Sequence, residues 1–217
     1  HSGGTLVRSV MVWDLTSLPT GAVITSASLT LTELTDEVTS TQTIRTYRIT
    51  QGSMTENCTW GTYDGSNSWT TAGGDYSTAI TSTETTDGGN LVINDAGFVS
   101  LTNDALVNRS GLLRIIIATQ EELDGTVSGT QRMKYRSSSD GTSSYRPHLS
   151  VTYTQPATWV GGTGLSLTSN TAWSTGAVPT NNVARFSDGL ETGSGTITLG
   201  SCLIGNEFEG GLGTSAT

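Results

Sequence analysis

A chain of 217 residues has room for one large β-domain, or for a domain of about 150 residues and the start of another. Its formal charge of −9, from 19 acidic and 10 basic side chains, is the wrong sign for holding phosphate, which argues against nucleic acid as a partner. No apolar run approaches the roughly 20 residues of a membrane helix, so membrane insertion by a helix is not expected either.

Alternation of apolar and polar residues at period two is the main signal along the chain. Residues 6–15 predict a strand, with Val10, Val12 and Asp14 on one face and Met11, Trp13 and Leu15 on the other. The sequence LPTG at 18–21 predicts a turn, proline fixing φ and glycine supplying freedom. Residues 24–34 predict a second strand, with Ala27, Leu29 and Leu31 opposed to Ser28, Thr30 and Thr32. Residues 43–50 predict a third, with Ile44, Thr46 and Arg48 opposed to Arg45, Tyr47 and Ile49.

Residues 60–76, WGTYDGSNSWTTAGGDY, break this pattern. Glycines and aspartates rule out a regular strand or helix there, yet aromatic rings are costly to leave in water. Such a loop is either folded down onto a sheet or presented to a ligand. Gly73, Gly74 and Asp75 read as a turn leading into a strand.

Residues 91–94 predict a short apolar strand, and 95–107 the one credible helix. Phe98, Leu101, Ala105 and Leu106 fall near one face of that helix, with Asn94 or Asp95 as its cap. The apolar run at 112–118, interrupted by Arg114, predicts a strand buried on both faces, under the helix. Strands at 131–137 and 148–154 bring the count to about eight, and an antiparallel jelly-roll sandwich with one short helix is the natural closure.

Gln155 and Pro156 mark a boundary between a sandwich module at 1–154 and the start of a second β-rich region at 155–217. Short β-segments punctuated by Gly, Asn and Asp suggest the first coils of a β-solenoid or a small β-domain, with Trp159 packed on Trp173. Both ends of the sequence read as cut from a longer polypeptide. Cys58 and Cys202 fall on opposite sides of the boundary, so no disulfide is expected between them. With His1 and His148 they make no metal-binding pattern.

Three blocks, in order, resemble DNRLRE-type modules. RSVMVWDLTSLPTGAVITSASLTL is similar to the opening of that family, MTENCTWGTYDGSNSWTTAGGDY to its aromatic block, and KYRSSSDGTSSYRPHLSVTY to its closing strand. The likeness spans residues 5–154. It implies a jelly-roll sandwich of the kind found in carbohydrate-binding modules, some of them associated with alginate-like polysaccharides, and in bacterial surface and phage structural proteins. The chain departs from the pattern at Met54, where the family has tryptophan, and at Ser137, where it has glutamate after the arginine matched by Arg136. The strand before Arg8 is also reduced to a few residues. The tail NTAWSTGAVPTNNVARFSDG is similar to segments that precede β-helical regions in surface and phage proteins.

Sugar recognition on a β-sandwich needs an aromatic face for the pyranose and polar groups for its hydroxyls and carboxylates. Trp60, Tyr63, Trp69 and Tyr76 are the candidates for stacking, and Asp75 and Arg136 for polar contact, with Arg146 a further choice; arginine suits a uronate carboxylate. The competing expectation is that Trp60 and Trp69 pin the loop to the sheet, and that Arg146 pairs with a structural carboxylate. No cofactor is required, although Asp64, Asp75, Asp87 and Asp140 with loop carbonyls could hold a structural Ca²⁺.

Catalysis is not expected. Glu121 with Glu122, and Asp36 with Glu37, read as solvated turn charges, since neighbours on a strand point to opposite faces. No GxSxG, HExxH or P-loop occurs, and a single histidine within 5–154 leaves no triad. The expected function is a non-catalytic recognition or adhesion module of a larger extracellular protein, on a cell surface or virion, binding polysaccharide. The alternative is a purely structural virion, fibre or decoration domain contacting other protein subunits. An exposed aromatic strip would favour the first, and burial of both Trp60 and Trp69 the second.

Overall fold

The computed structural model describes residues 7–38, 40–55, 57–127 and 131–155, and the backbone of 157–159 and 184–186. Contacts divide the chain into two units, the first comprising 1–18 and 24–152 and the second 19–23 and 153–217. The strands up to the aromatic loop are β1 (Ser9–Asp14), β2 (Val23–Leu31), β3 (Glu33–Asp36) and β4 (Gln42–Ile49). After it come β5 (Tyr76–Thr86), β6 (Leu91–Ile93), helix α1 (Ala96–Asn108) and β7 (Leu112–Thr119). A helical turn α2 (Gln120–Leu123), β8 (Met133–Tyr135), a 3₁₀ turn (Ser143–Tyr145) and β9 (His148–Thr154) follow. The fold is therefore all-β with one short helix packed in.

A four-stranded sheet has the order β1-β7-β4-β5, with every neighbouring pair antiparallel. A three-stranded sheet has the order β6-β2-β9, and β3 pairs with β8. One buried cluster draws on both larger sheets: Leu29 and Leu31 of β2, Ile93 of β6, Ile44 of β4, and Leu113, Ile115 and Ile117 of β7. Phe98, Leu101 and Ala105 of α1 complete it. Each such Leu, Ile or Phe contributes roughly 1.5–3 kcal/mol by leaving water. The intervening Ile116 of β7 lies in a second cluster with Tyr47 and Ile49 of β4. Both faces of β7 are thus covered, which is why its sequence is apolar at successive positions, Arg114 excepted, instead of alternating.

Asp95 fixes the start of α1. Its carboxylate accepts from Phe98 N at 2.8 Å, from Thr83 N at 2.8 Å and from the Ser82 hydroxyl at 2.6 Å, so the helix cap is also a bond to β5. The helix comes so close to that strand that a Cβ on Gly97 would lie 2.0 Å from the Thr81 carbonyl oxygen.

Two expectations are corrected by the strand pattern. Residues 24–34 are not one strand: β2 ends at Leu31, and β3 starts at Glu33 against a different partner, with the Asn90 side chain accepting the Glu33 N–H at 2.9 Å. Glu121 and Glu122 lie in α2 and not on a strand or in a solvated turn, and Thr119 caps that turn through its hydroxyl.

In the second unit, β10 (Ala157–Trp159) pairs in parallel with β11 (Ala184–Phe186). A solenoid after 155, the packing of Trp159 on Trp173, and Cys202 lie outside the described residues. Cys58 carries a free thiol. Among the described residues no helix is long and apolar enough to cross a membrane.

Candidate functional site

The segment between β4 and β5 folds down over the outer face of the four-stranded sheet. Met54 and Trp69 are buried there with Tyr47, Ile49 and Ile116, and Val10, Cys58, Tyr63 and Tyr76 pack around them. Trp69 is 6% exposed and its indole N–H donates to the Thr59 carbonyl at 2.9 Å, so its polar atom is satisfied in place. The Tyr63 ring meets Trp69 edge-on, with centroids 5.8 Å apart. Tyr76 stacks on Tyr47 of β4 at 4.9 Å. Desolvation at this packed position pushes the Cys58 thiol above its usual range.

Carboxylates shape the loop's turns. Asp64 accepts from Asn67 N at 2.7 Å, from the Asn67 side chain at 2.8 Å and from Ser66 N at 2.9 Å, and these bonds hold its carboxyl below the usual range. Asp75 accepts from Thr70 N and Thr71 N, each at 2.8 Å. Burial pulls the Asp75 carboxyl upward, but the two N–H bonds and the Thr70 side chain outweigh it and hold the group low.

Trp60 behaves differently from Trp69. It keeps 40% of its surface in solvent, while its inner side rests against Gly73, where a Cβ would sit 2.8 Å from the ring. Gly73 has φ of +91°, a conformation that glycine tolerates and other residues rarely adopt. The guanidinium of Arg8 lies 5.1 Å from the Trp60 ring centre and 5.6 Å from that of Tyr76. Its edge is filled by Glu122, with Nε donating at 3.0 Å and Nη2 at 2.8 Å, and by the Gly73 carbonyl at 2.8 Å from Nη1. The two side chains are 12% and 9% exposed, so the start of β1, the loop and α2 are joined by a largely buried bidentate pair.

Two hollows flank the loop. One of about 280 Å³ is lined by Arg8, Val10, Cys58, Thr59, Trp60 and Trp69, with Val7 and Gly73. A more open one of about 520 Å³ is lined by Thr50, Gln51, Thr70, Thr71, Asp75 and Tyr76, with Gly74. The stretch 69–74 contributes to both, Trp69 and Gly73 to the smaller hollow and Thr70, Thr71 and Gly74 to the open one.

Of the residues expected at the site, Trp60, Tyr63, Trp69, Asp75 and Tyr76 come together in this loop. Arg136 does not join them: it pairs with Asp140 at 3.2 Å and lies 5.3 Å from the Tyr145 ring, within its own loop. Arg146 donates to the Asp140 backbone carbonyl at 2.8 Å. The Thr142 N–H bond first, and with it the charge of Arg146, hold the Asp140 carboxyl below the usual range, so the structural carboxylate expected of Arg146 is met at a distance and not by a direct bond. Of the aspartates suggested for Ca²⁺, Asp64 and Asp75 bind loop amides, and Asp140 binds Thr142 N and Arg136. Among the described residues no group of three or more His, Cys, Asp or Glu is placed to hold a metal. Arg8 and Glu122 were not anticipated; the one sequence signal was that Arg8 shares the face of Val10 at the head of an alternating strand.

Comparison with protein-family models, known proteins and solved structures finds no match to this chain.

Proposed function

We propose that this chain is a non-catalytic recognition module that binds polysaccharide through the exposed side of Trp60, the hollow that Trp60 lines and the open hollow lined by Asp75 and Tyr76. Its fold in this reading is a jelly-roll sandwich of the DNRLRE kind, and it works outside the cell as part of a larger protein on a cell surface or virion. The observation that carries the reading is the contrast between the two tryptophans. Trp69 already fills the job of pinning the loop, which leaves Trp60 as a solvent-facing ring held rigid by Gly73 and Arg8. A pre-positioned aromatic surface beside hydroxyl and carboxamide groups suits the alternating apolar and polar faces of a sugar chain. Tyr63, Trp69 and Tyr76 then support the site from below, and Asp75 shapes it.

Affinity electrophoresis of the wild type and Trp60→Ala in a panel of polysaccharide gels tests this. The expected result is retardation of the wild type in at least one polymer, lost in Trp60→Ala while the melting temperature stays within a few degrees. Free migration in every polymer would sink the reading and favour the structural alternative, in which the same surface meets neighbouring protein subunits.

A further inference from the structure

We infer that the polymer accepted at this site is uncharged, a neutral glycan and not a polyuronate; the inference rests on the recognition reading above. A uronate carboxylate leaving water needs a cation or several N–H donors to replace its hydration. Among the described residues the one guanidinium that lines either hollow is Arg8, and it is committed. Glu122 holds two of its nitrogens, the Gly73 carbonyl holds the third, and the Trp60 and Tyr76 rings lie against its faces.

Among the described residues no other cation lines either hollow, Arg114 of β7 with its buried, unpartnered Nε included. Arg45 bonds to Gln120 and Thr83, Arg48 pairs with Asp104 at 3.4 Å, and Arg136 pairs with Asp140. None of these lines either hollow. The open hollow instead offers the side chains of Thr50, Gln51, Thr70, Thr71 and Tyr76 and the Asp75 carboxylate, a set that suits sugar hydroxyls. Asp75 adds a negative charge to the wall of the open hollow, where its amide bonds hold the carboxyl below the usual range. The chain's net charge of −9 adds to the repulsion of any polyanion.

The test is binding of the full chain, wild type and Trp60→Ala, to beads of cross-linked neutral polymers (β-glucan, galactomannan, dextran) and of polyuronates (polygalacturonate, alginate), at low and high salt. The expected result is binding to at least one neutral polymer, insensitive to salt and lost in Trp60→Ala, with polyuronate held at least about tenfold more weakly. Binding confined to polyuronates, weakened by salt and lost in Trp60→Ala, would overturn the inference and leave the recognition reading standing. Binding to neither class would overturn both.

Discussion

Two tryptophans nine positions apart have opposite roles, and single substitutions separate them. Trp69→Ala removes a buried indole from the cluster over β4 and β7 and should lower stability by about 3–5 kcal/mol in denaturant melts. Trp60→Ala removes a partly exposed ring and should cost about 1 kcal/mol or less, so any loss of binding is not a loss of fold. Gly73→Ala tests the support beneath Trp60: its positive φ and the 2.8 Å approach to the ring should together cost about 1–3 kcal/mol and displace the indole, seen as a shift in tryptophan emission. Asp75 gives the loop an acid limit. Its folded-state carboxyl lies below the ordinary value of 3.8, so the stability it supplies is complete above that value and is lost as the pH falls through the lowered one. Tryptophan emission followed down an acid titration should report the loop loosening below about pH 4. The same titration with Asp75→Asn should show a weaker pH dependence.

Among the elements, α2 has an importance out of proportion to its length. It carries Glu122 against Arg8, and Glu121, which accepts the Thr43 N–H of β4 at 3.1 Å. Glu122→Ala would leave the Arg8 guanidinium unpaired in a largely dry place and should cost about 3–5 kcal/mol, with the loop 50–75 gaining protease sensitivity before the rest of the chain. The periodic elements were legible in the sequence. The faces of β1, β2 and β4, the span and cap of α1, the two-sided burial of β7 and the extent of β9 all follow from apolar spacing and a capping aspartate. What was not legible depends on contacts distant in sequence. The break between β2 and β3 is set by β8, about 100 residues on in sequence, whose pairing with β3 replaces that of β2 with β6. The site was legible in outline only: the aromatic loop stands out by composition, but which tryptophan is buried depends on the surface beneath it. Glu122 resembled any surface acid until its partner 114 residues away came into contact.

At the scale of the molecule, the arrangement of strands determines where the fold is firm. β4 and β5 are adjacent around the aromatic loop, whereas β1 reaches β7 across most of the first unit, pairing Ser9 with Ile117. β7 lies between β1 and β4, and β4 between β7 and β5, so both strands have their backbone hydrogen-bonded along both edges. Apolar clusters also cover both their faces, one formed with the three-stranded sheet and α1, the other with the aromatic loop. Their amides can meet solvent only when an edge strand, a covering layer and the pairing itself all give way, which amounts to global unfolding. The edge strand β1 and the short β3–β8 pair need much less to open. Native-state hydrogen exchange should therefore find its slowest amides at 44–48 and 113–118, exchanging with the free energy measured by denaturant unfolding. Amides at 57–68, outside the capped turns, should exchange fastest in the loop. Trp69→Ala should lower the protection of Tyr47 and Ile116 through the global term alone if the loop cluster is part of the same cooperative unit. If their exchange instead rises while that of Leu113 and Ile115 is unchanged, the aromatic loop is a separately folding lid on the outer face of the sheet.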